Sequence, residues 1–240
     1  MKDHLLDLVE HTHDLGCIDL IKVIGDAKST VVNALATDQS VVLQATFANP
    51  VPEFIGTFGM PNLAKLKILL NLSEYRENAV LDIRKKADGI LESIEFRNSS
   101  GDFKNSYRFM SPEIINEKLK TAKFRGVKWN VEFEPTVAAI QRLRMQAQAN
   151  AEEPNFQVRM DGSDLRFHFG DHSSHAGEFV FQPQVTGTLA RSWSWPVAVV
   201  QNILALTGDK IMRISDEGAA EITVDSGLAR YSYILPAQTK

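Results

Sequence analysis

Tyr107-Arg108-Phe109-Met110-Ser111-Pro112 decides the fold, because the chain writes it again near its end as Tyr231-Ser232-Tyr233-Ile234-Leu235-Pro236. Reading backwards from each copy, matching segments follow in the same order. Ile94 and Phe96 match Ile222 and Val224, and Val80-Leu81-Asp82-Ile83 matches Ile211-Met212-Arg213-Ile214. Met60-Pro61 ahead of Lys67-Ile68-Leu69-Leu70 matches Trp195-Pro196 ahead of Asn202-Ile203-Leu204-Ala205. The offset shrinks along the chain, which says only that the second copy has shorter turns. A repeat of roughly 100 residues is too long for a solenoid unit, so each copy is expected to be a whole domain. The expected division is residues 1–111, a connector at 112–127, and residues 128–240. Two like domains in tandem point to an object built by symmetry.

Outward from these anchors, each copy reads as helix, strands, helix, strands. Leu5, Leu8, Val9, Thr12 and Leu15 share one helical stripe. Strand-like runs follow at 18–24, 30–36, 41–47 and 54–58, broken by Gly25-Asp26 and Thr37-Asp38-Gln39. Pro61 suits the first turn of a helix reaching about Leu72, with Leu63, Leu66, Leu69 and Leu70 inward. Runs at 79–84, 90–96 and 103–110 close the first copy, with Asp88-Gly89 as a tight turn. In the second copy the expected strands are 129–133, 156–160, 165–169, 177–181, 186–192, 211–214, 219–224 and 228–235. Its helices are expected at 135–149, with Val137, Ile140, Leu143 and Ala147 inward, and at 196–206. The segment 112–127, with Lys118, Lys120, Lys123 and Arg125, reads as an exposed connector. The fold class is therefore α+β, two tandem domains of helices packed on antiparallel sheets.

Composition narrows the function. A 240-residue chain that is 44% hydrophobic and 23% charged can bury a real core. Asp and Glu residues through the first twenty positions exclude a signal peptide, and no apolar run is long enough to span a bilayer. The lone Cys17 makes no internal disulfide and fits a reducing cytoplasm. A net charge of −4 argues against a generic nucleic-acid coat, so any DNA contact needs positive charge gathered locally.

A domain of two helix-plus-sheet halves, duplicated in tandem and ending each time in a Tyr-x-aromatic-aliphatic-x-Pro strand, resembles the DNA polymerase sliding clamps. The likeness covers essentially the whole chain and is greatest to the two-domain clamps of tailed phages, relatives of the archaeal and eukaryotic clamp. Tyr233-Ile234-Leu235-Pro236 looks like that family's C-terminal Tyr-x-x-Pro segment. The resemblance implies a homotrimeric ring, head to tail, around duplex DNA without sequence preference. It implies a non-enzymatic processivity factor without a cofactor, which tethers a replicative polymerase after loading by an ATP-dependent loader. In a phage-encoded case, it would work in the cytoplasm of an infected bacterium.

The same resemblance assigns candidate residues. Residues 103–110 of one subunit are expected to pair with about 174–183 of the next, with Phe103, Tyr107, Phe109, Glu178, Phe179 and Phe181 at the border. Partner tails are expected in an apolar pocket at Val41, Leu43, Tyr233, Leu235 and Pro236, joined by Ile114, Ile115 or Leu119. On the helices, placing residues at about 100° each sets Lys67 and Arg142 off the apolar stripe as pore candidates. Lys65 and Arg144 fall on it and are expected to snorkel at its border. Asp7, Glu10 and Asp14 give the first helix an acidic exposed face, and the fourth offers only Gln201 and Asn202, so intrinsic DNA affinity is expected to be weak.

Two rivals follow from the same residues. One is a monomeric processivity factor of this fold that grips DNA by charge, which would need a strongly basic face. The other is a metal-dependent hydrolase using His168, His172 and His175 beside Asp171. That run reads better as a polar hairpin turn than as converging ligands. His11 and His13 diverge on a helix, and no phosphate-binding glycine loop or nucleophile elbow is present.

Overall fold

Alternating burial along the first half sorts its strands into two antiparallel sheets. The computed structural model describes residues 1–120, 126–171 and 175–238. These form two compact units, Met1–Lys123 with Ser226–Tyr231, and Phe124–Asp225 with Ser232–Lys240. Among the described residues, short helices and antiparallel strands make the chain α+β, as its patterning indicates.

Unit 1 opens with α1 (Lys2–Glu10), which buries Leu5, Leu8 and Val9. The stripe expected to reach Leu15 as one helix breaks after Glu10. The Thr12 hydroxyl donates to the Leu8 carbonyl, and a 3-10 turn at His13–Leu15 ends on Gly16 at φ 81°. Next come β1 (Leu20–Gly25), β2 (Thr30–Leu35), β3 (Val42–Phe47) and β4 (Gly56–Pro61), side by side in the order β4-β1-β2-β3. Val23 faces Val32 on one side and Phe58 on the other, so the apolar alternation sets the register. α2 (Leu63–Asn71) buries Leu63, Leu66, Leu69 and Leu70. Its cap corrects the sequence reading: Pro61 ends β4, and Asn62, at φ 54°, accepts from the Lys65 amide. A second sheet holds β5 (Val80–Lys85), β6 (Leu91–Arg97) and β7 (Lys104–Arg108), with β6 central.

α3 (Pro112–Lys118) occupies the stretch expected to be an exposed connector. Pro112 is pre-set for a first helical turn, and Ile115 is fully buried against Gly59, where an added Cβ would come within 2.8 Å of it. Lys123 and Arg125, read as part of that connector, lie outside the described residues.

Unit 2 repeats the plan with β8 (Val131–Phe133), α4 (Val137–Ala149), β9 (Asn155–Asp161), β10 (Asp164–Phe169), β11 (Gly177–Gln182), β12 (Trp193–Pro196) and α5 (Val197–Ala205). β13 (Asp209–Ser215), β14 (Ala219–Asp225) and β15 (Ala229–Pro236) finish the chain, β15 starting in the segment that belongs to unit 1. One sheet runs β11-β10-β9-β12, and β13 pairs with β14 on one side and β8 on the other. The strand expected at 186–192 is instead an irregular segment with one bridge, Gly187 to Val131, and the pairing begins at Trp193. Gly187, at φ 98°, sits so close to the Asn130 carbonyl that no side chain fits there. An aromatic stack fills the core: the Phe167 ring lies 4.2 Å from Phe181 and 4.4 Å from Phe156. Trp195 is fully buried and donates to the Leu235 carbonyl at 3.1 Å.

Candidate functional site

Three sets of surface features are built by these elements: helix faces, a groove, and open strand edges. In unit 1, α1 packs on α2. Asp7, expected on an exposed acidic face, is buried. It accepts from the Tyr231 hydroxyl at 2.6 Å and from Ser226 at 3.1 Å, while the His11 ring stacks on Tyr231 at 4.4 Å. A helical wheel places Asp7 but cannot see the late segment that folds back to meet it. Asp14 is ion-paired with Lys67 at 2.8 Å, and the Lys67 side chain keeps 47% exposure. Lys65 is exposed on the same helix.

In unit 2, Arg142 donates to the Val180 carbonyl at 3.3 Å, its guanidinium 5.4 Å from the Phe179 ring centre, so it leans along β11. Arg144 is exposed. α4 buries Ala139 and Leu143, with Val137, expected inward, 72% exposed at its first turn. α5 carries no Lys or Arg. These helix faces therefore offer a few scattered cations, a pattern suited to weak phosphate attraction and to no base-specific reading.

A groove of about 340 Å³ opens in unit 1 between β2, β3 and the end of the connector helix, lined by apolar Ala34, Leu35, Val42, Leu43 and Leu119 and by polar Lys22, Asn33, Gln44 and Lys120. Leu43 and Leu119 thus come together. Val41 lies beside Leu43 but is fully buried, its carbonyl accepting from Ala36. The preceding turn is held by Asp38, whose pKa is lowered first by the Ser40 hydroxyl and then by the Ser40 amide. Ile115 fills the space above Gly59, and Ile114, 47% exposed, lines a separate groove of about 950 Å³ with Leu91, Phe109 and Met110. In unit 2, Tyr233 and Leu235 are fully buried and Pro236 is exposed.

β7 ends the second sheet of unit 1, and β11 ends a sheet of unit 2. Most of the expected border side chains are core. Tyr107 donates to the Pro61 carbonyl at 2.6 Å, and burial first, then the Asp19 charge, drives its phenol pKa far upward. Phe109, Phe179 and Phe181 are buried, whereas Phe103 is 40% exposed. Glu178 is exposed and faces Arg166 at 3.1 Å and His168 at 3.0 Å. The edges therefore present backbone, with Lys104, Ser106 and Arg108 along β7 and Glu178, Val180 and Gln182 along β11.

Beside each edge lies an exposed apolar residue that sequence reasoning passed over. Ile68 is 62% exposed on α2, which packs on β7, and Met145 is 65% exposed on α4, which packs on β11. The available signal was an apolar side chain off the buried stripe of its helix.

Burial lowers the pKa of His168, against the pull of the Glu178 carboxylate. His172 and Ser174 lie outside the described residues. No three His, Cys, Asp or Glu among the described residues gather as a metal site, and no described helix is long and apolar enough to cross a membrane.

No protein-family model matches the sequence, and a search of curated proteins found no match. Solved structures do match. The A. fulgidus PCNA solved with the C-terminal region of FEN-1 superposes with a TM-score of 0.71 at 10% identity, covering 98% of this chain and 96% of that one. PCNA from Thermococcus kodakaraensis gives a TM-score of 0.64 at 13% identity, covering 99% and 97%. The fold is that of the PCNA clamp along nearly the whole chain.

Proposed function

We propose that the chain is the subunit of a DNA sliding clamp, a non-enzymatic processivity factor of the two-domain tailed-phage type. The observation that carries this reading is the pair of open antiparallel edges, β7 on one repeat and β11 on the other, each beside an exposed apolar residue. An unpaired edge is an aggregation hazard, and head-to-tail joining of β7 to β11 of the next copy removes it. Lys104 and Arg108 would then oppose Glu178, and Ile68 and Met145 would bury each other's flanks. Three copies would close a ring of six domains, the count that the likeness to the clamps implies.

Such a ring holds duplex DNA by topology, so the few cations Lys67, Arg144, Lys65 and Arg142 need only weak phosphate attraction. Rings closed in solution need an ATP-driven loader to reach circular DNA. The groove at Leu43 and Leu119 would take the apolar tail of a polymerase or loader, raising the local polymerase concentration. That an archaeal PCNA of this fold was solved with the C-terminal region of FEN-1 supports a peptide-binding role.

A cysteine cross-link tests the reading. Ser106→Cys on β7 and Val180→Cys on β11, in a Cys17→Ser background, are oxidised in the presence of circular duplex DNA. The expected product is a covalent ring that stays on the circle and slides off after linearisation. Cross-linking confined to single chains, or equal retention on linear DNA, overturns it.

A further inference from the structure

We propose that the outer edge of β5 takes up an extended segment of a partner protein, reading apolar–basic–apolar, as an added antiparallel strand. The two repeats treat one matched strand differently. In unit 2, Met212, Arg213 and Ile214 of β13 face Phe133, Glu132 and Val131 of β8, and both Met212 and Ile214 are fully buried. In unit 1 the matched strand pairs only with β6 among the described residues. Leu81 and Ile83, facing the buried Phe96 and Ile94 across the ladder, remain half-buried. The apolar layer of this sheet is therefore left uncovered at its margin, where β8 covers it in unit 2.

Charge states what the occupant carries. Arg213 binds Glu132 of the covering strand at 2.7 Å. Unit 1 places Asp82 at the matched position, its side chain 41% exposed and joined across the ladder to Arg97. The middle residue of an added strand therefore meets a carboxylate, and Lys or Arg replaces the role of Glu132 with reversed sign. A register shift between Arg84 and Lys85 limits regular pairing to the first part of the strand, so a segment of about three to five residues fits. β5 and β7 are opposite margins of one sheet, so the site stays open if β7 joins another copy. The Lys2 ammonium donates to the carbonyls of Tyr75 at 2.5 Å and Arg76 at 3.2 Å, so the start of α1 lies beside the segment that leads into β5. A strand added ahead of Met1 can reach this margin.

The test uses the full chain and a labelled synthetic peptide of residues 129–134 carrying Glu132→Lys, beside the unchanged peptide. Saturable binding with a preference of about two- to five-fold for the lysine peptide is expected, reversed in Asp82→Lys. Because short strands bind weakly, the same lysine segment is also tethered ahead of Met1 by a flexible linker, with amide exchange read across β5. Slower exchange at β5 with unchanged exchange at β7 supports the proposal. No saturation at millimolar peptide together with unchanged exchange in the tethered chain overturns it, as does equal binding of both peptides to both proteins. A monomeric mass would remove the ring and leave these results standing, so the two proposals fail separately.

Discussion

β13 in unit 2 runs between two neighbours, while β5 at the matched place in unit 1 has one among the described residues. The cores differ as well. Unit 2 is closed by stacked phenylalanines around Phe167, and unit 1 ties its first helix to the late segment at Ser226–Tyr231 through the buried carboxylate of Asp7. One architecture, written twice, therefore tolerates different closures at its margins and corners. Duplication preserves the order of elements, because that order is set by apolar periodicity. It does not preserve the side chains that finish each unit.

The contrast can be broken most forcefully at the stack. Phe167→Ala should lower stability to urea by about 3–5 kcal/mol, since three neighbouring rings lose their partner. A loss under about 1 kcal/mol would mean the stack is not what holds unit 2. In unit 1, Asp7→Ala should cost about 1–3 kcal/mol by removing the buried carboxylate that accepts from the Tyr231 and Ser226 hydroxyls, whereas Asp14→Ala, at an exposed ion pair, should cost under about 1 kcal/mol. Equal effects of the two would contradict the buried tie.

Gly59 sharpens the comparison in another way. Gly59→Ala should destabilise by about 1–3 kcal/mol, because its Cβ would meet Ile115 and Met110 at 2.8–3.0 Å. The matched residue in unit 2 is Ser194, which already carries a side chain, and Ser194→Ala should change stability by no more than about 0.5 kcal/mol. Thermal melting of both variants decides this. The smallest effect belongs to His168. Its folded-state pKa lies below the ordinary value, chiefly through burial, so the unfolded chain takes up the proton first as pH falls. The stability that the neutral ring supports is present above about pH 6.5 and declines below it. His168→Gln should flatten that part of the stability–pH curve. An unchanged slope between pH 7 and 5 would remove His168 as its cause.

Much of this molecule was legible in its residues. The apolar alternation of Val23, Val32 and Phe58, the Asp88-Gly89 turn, and the leucine stripe of α2 all act locally, and local signals survive in sequence. What escaped depends on residues far apart. α3 exists because Ile115 finds a space over Gly59, and a seven-residue helix has little periodicity to read. Asp7 is buried by Tyr231, 224 positions away. Arg142 leans on Phe179 of β11, a contact that a wheel drawn on α4 alone cannot contain. Of the groove, Leu43 and Leu119 were readable, while Lys22 and Ala34 emerge only when β1 and β2 lie beside β3.

The central claim is that the free margins β7 and β11 are satisfied by copies of this chain joining end to end. Sedimentation equilibrium at micromolar concentration tests it most directly, on the natural chain and on a Ser106→Pro variant that blocks pairing along β7. The account predicts a natural species of three times 26.8 kDa and a variant that sediments as a folded single chain. A natural chain that remains monomeric at that concentration, or a variant that still forms trimers, would contradict it.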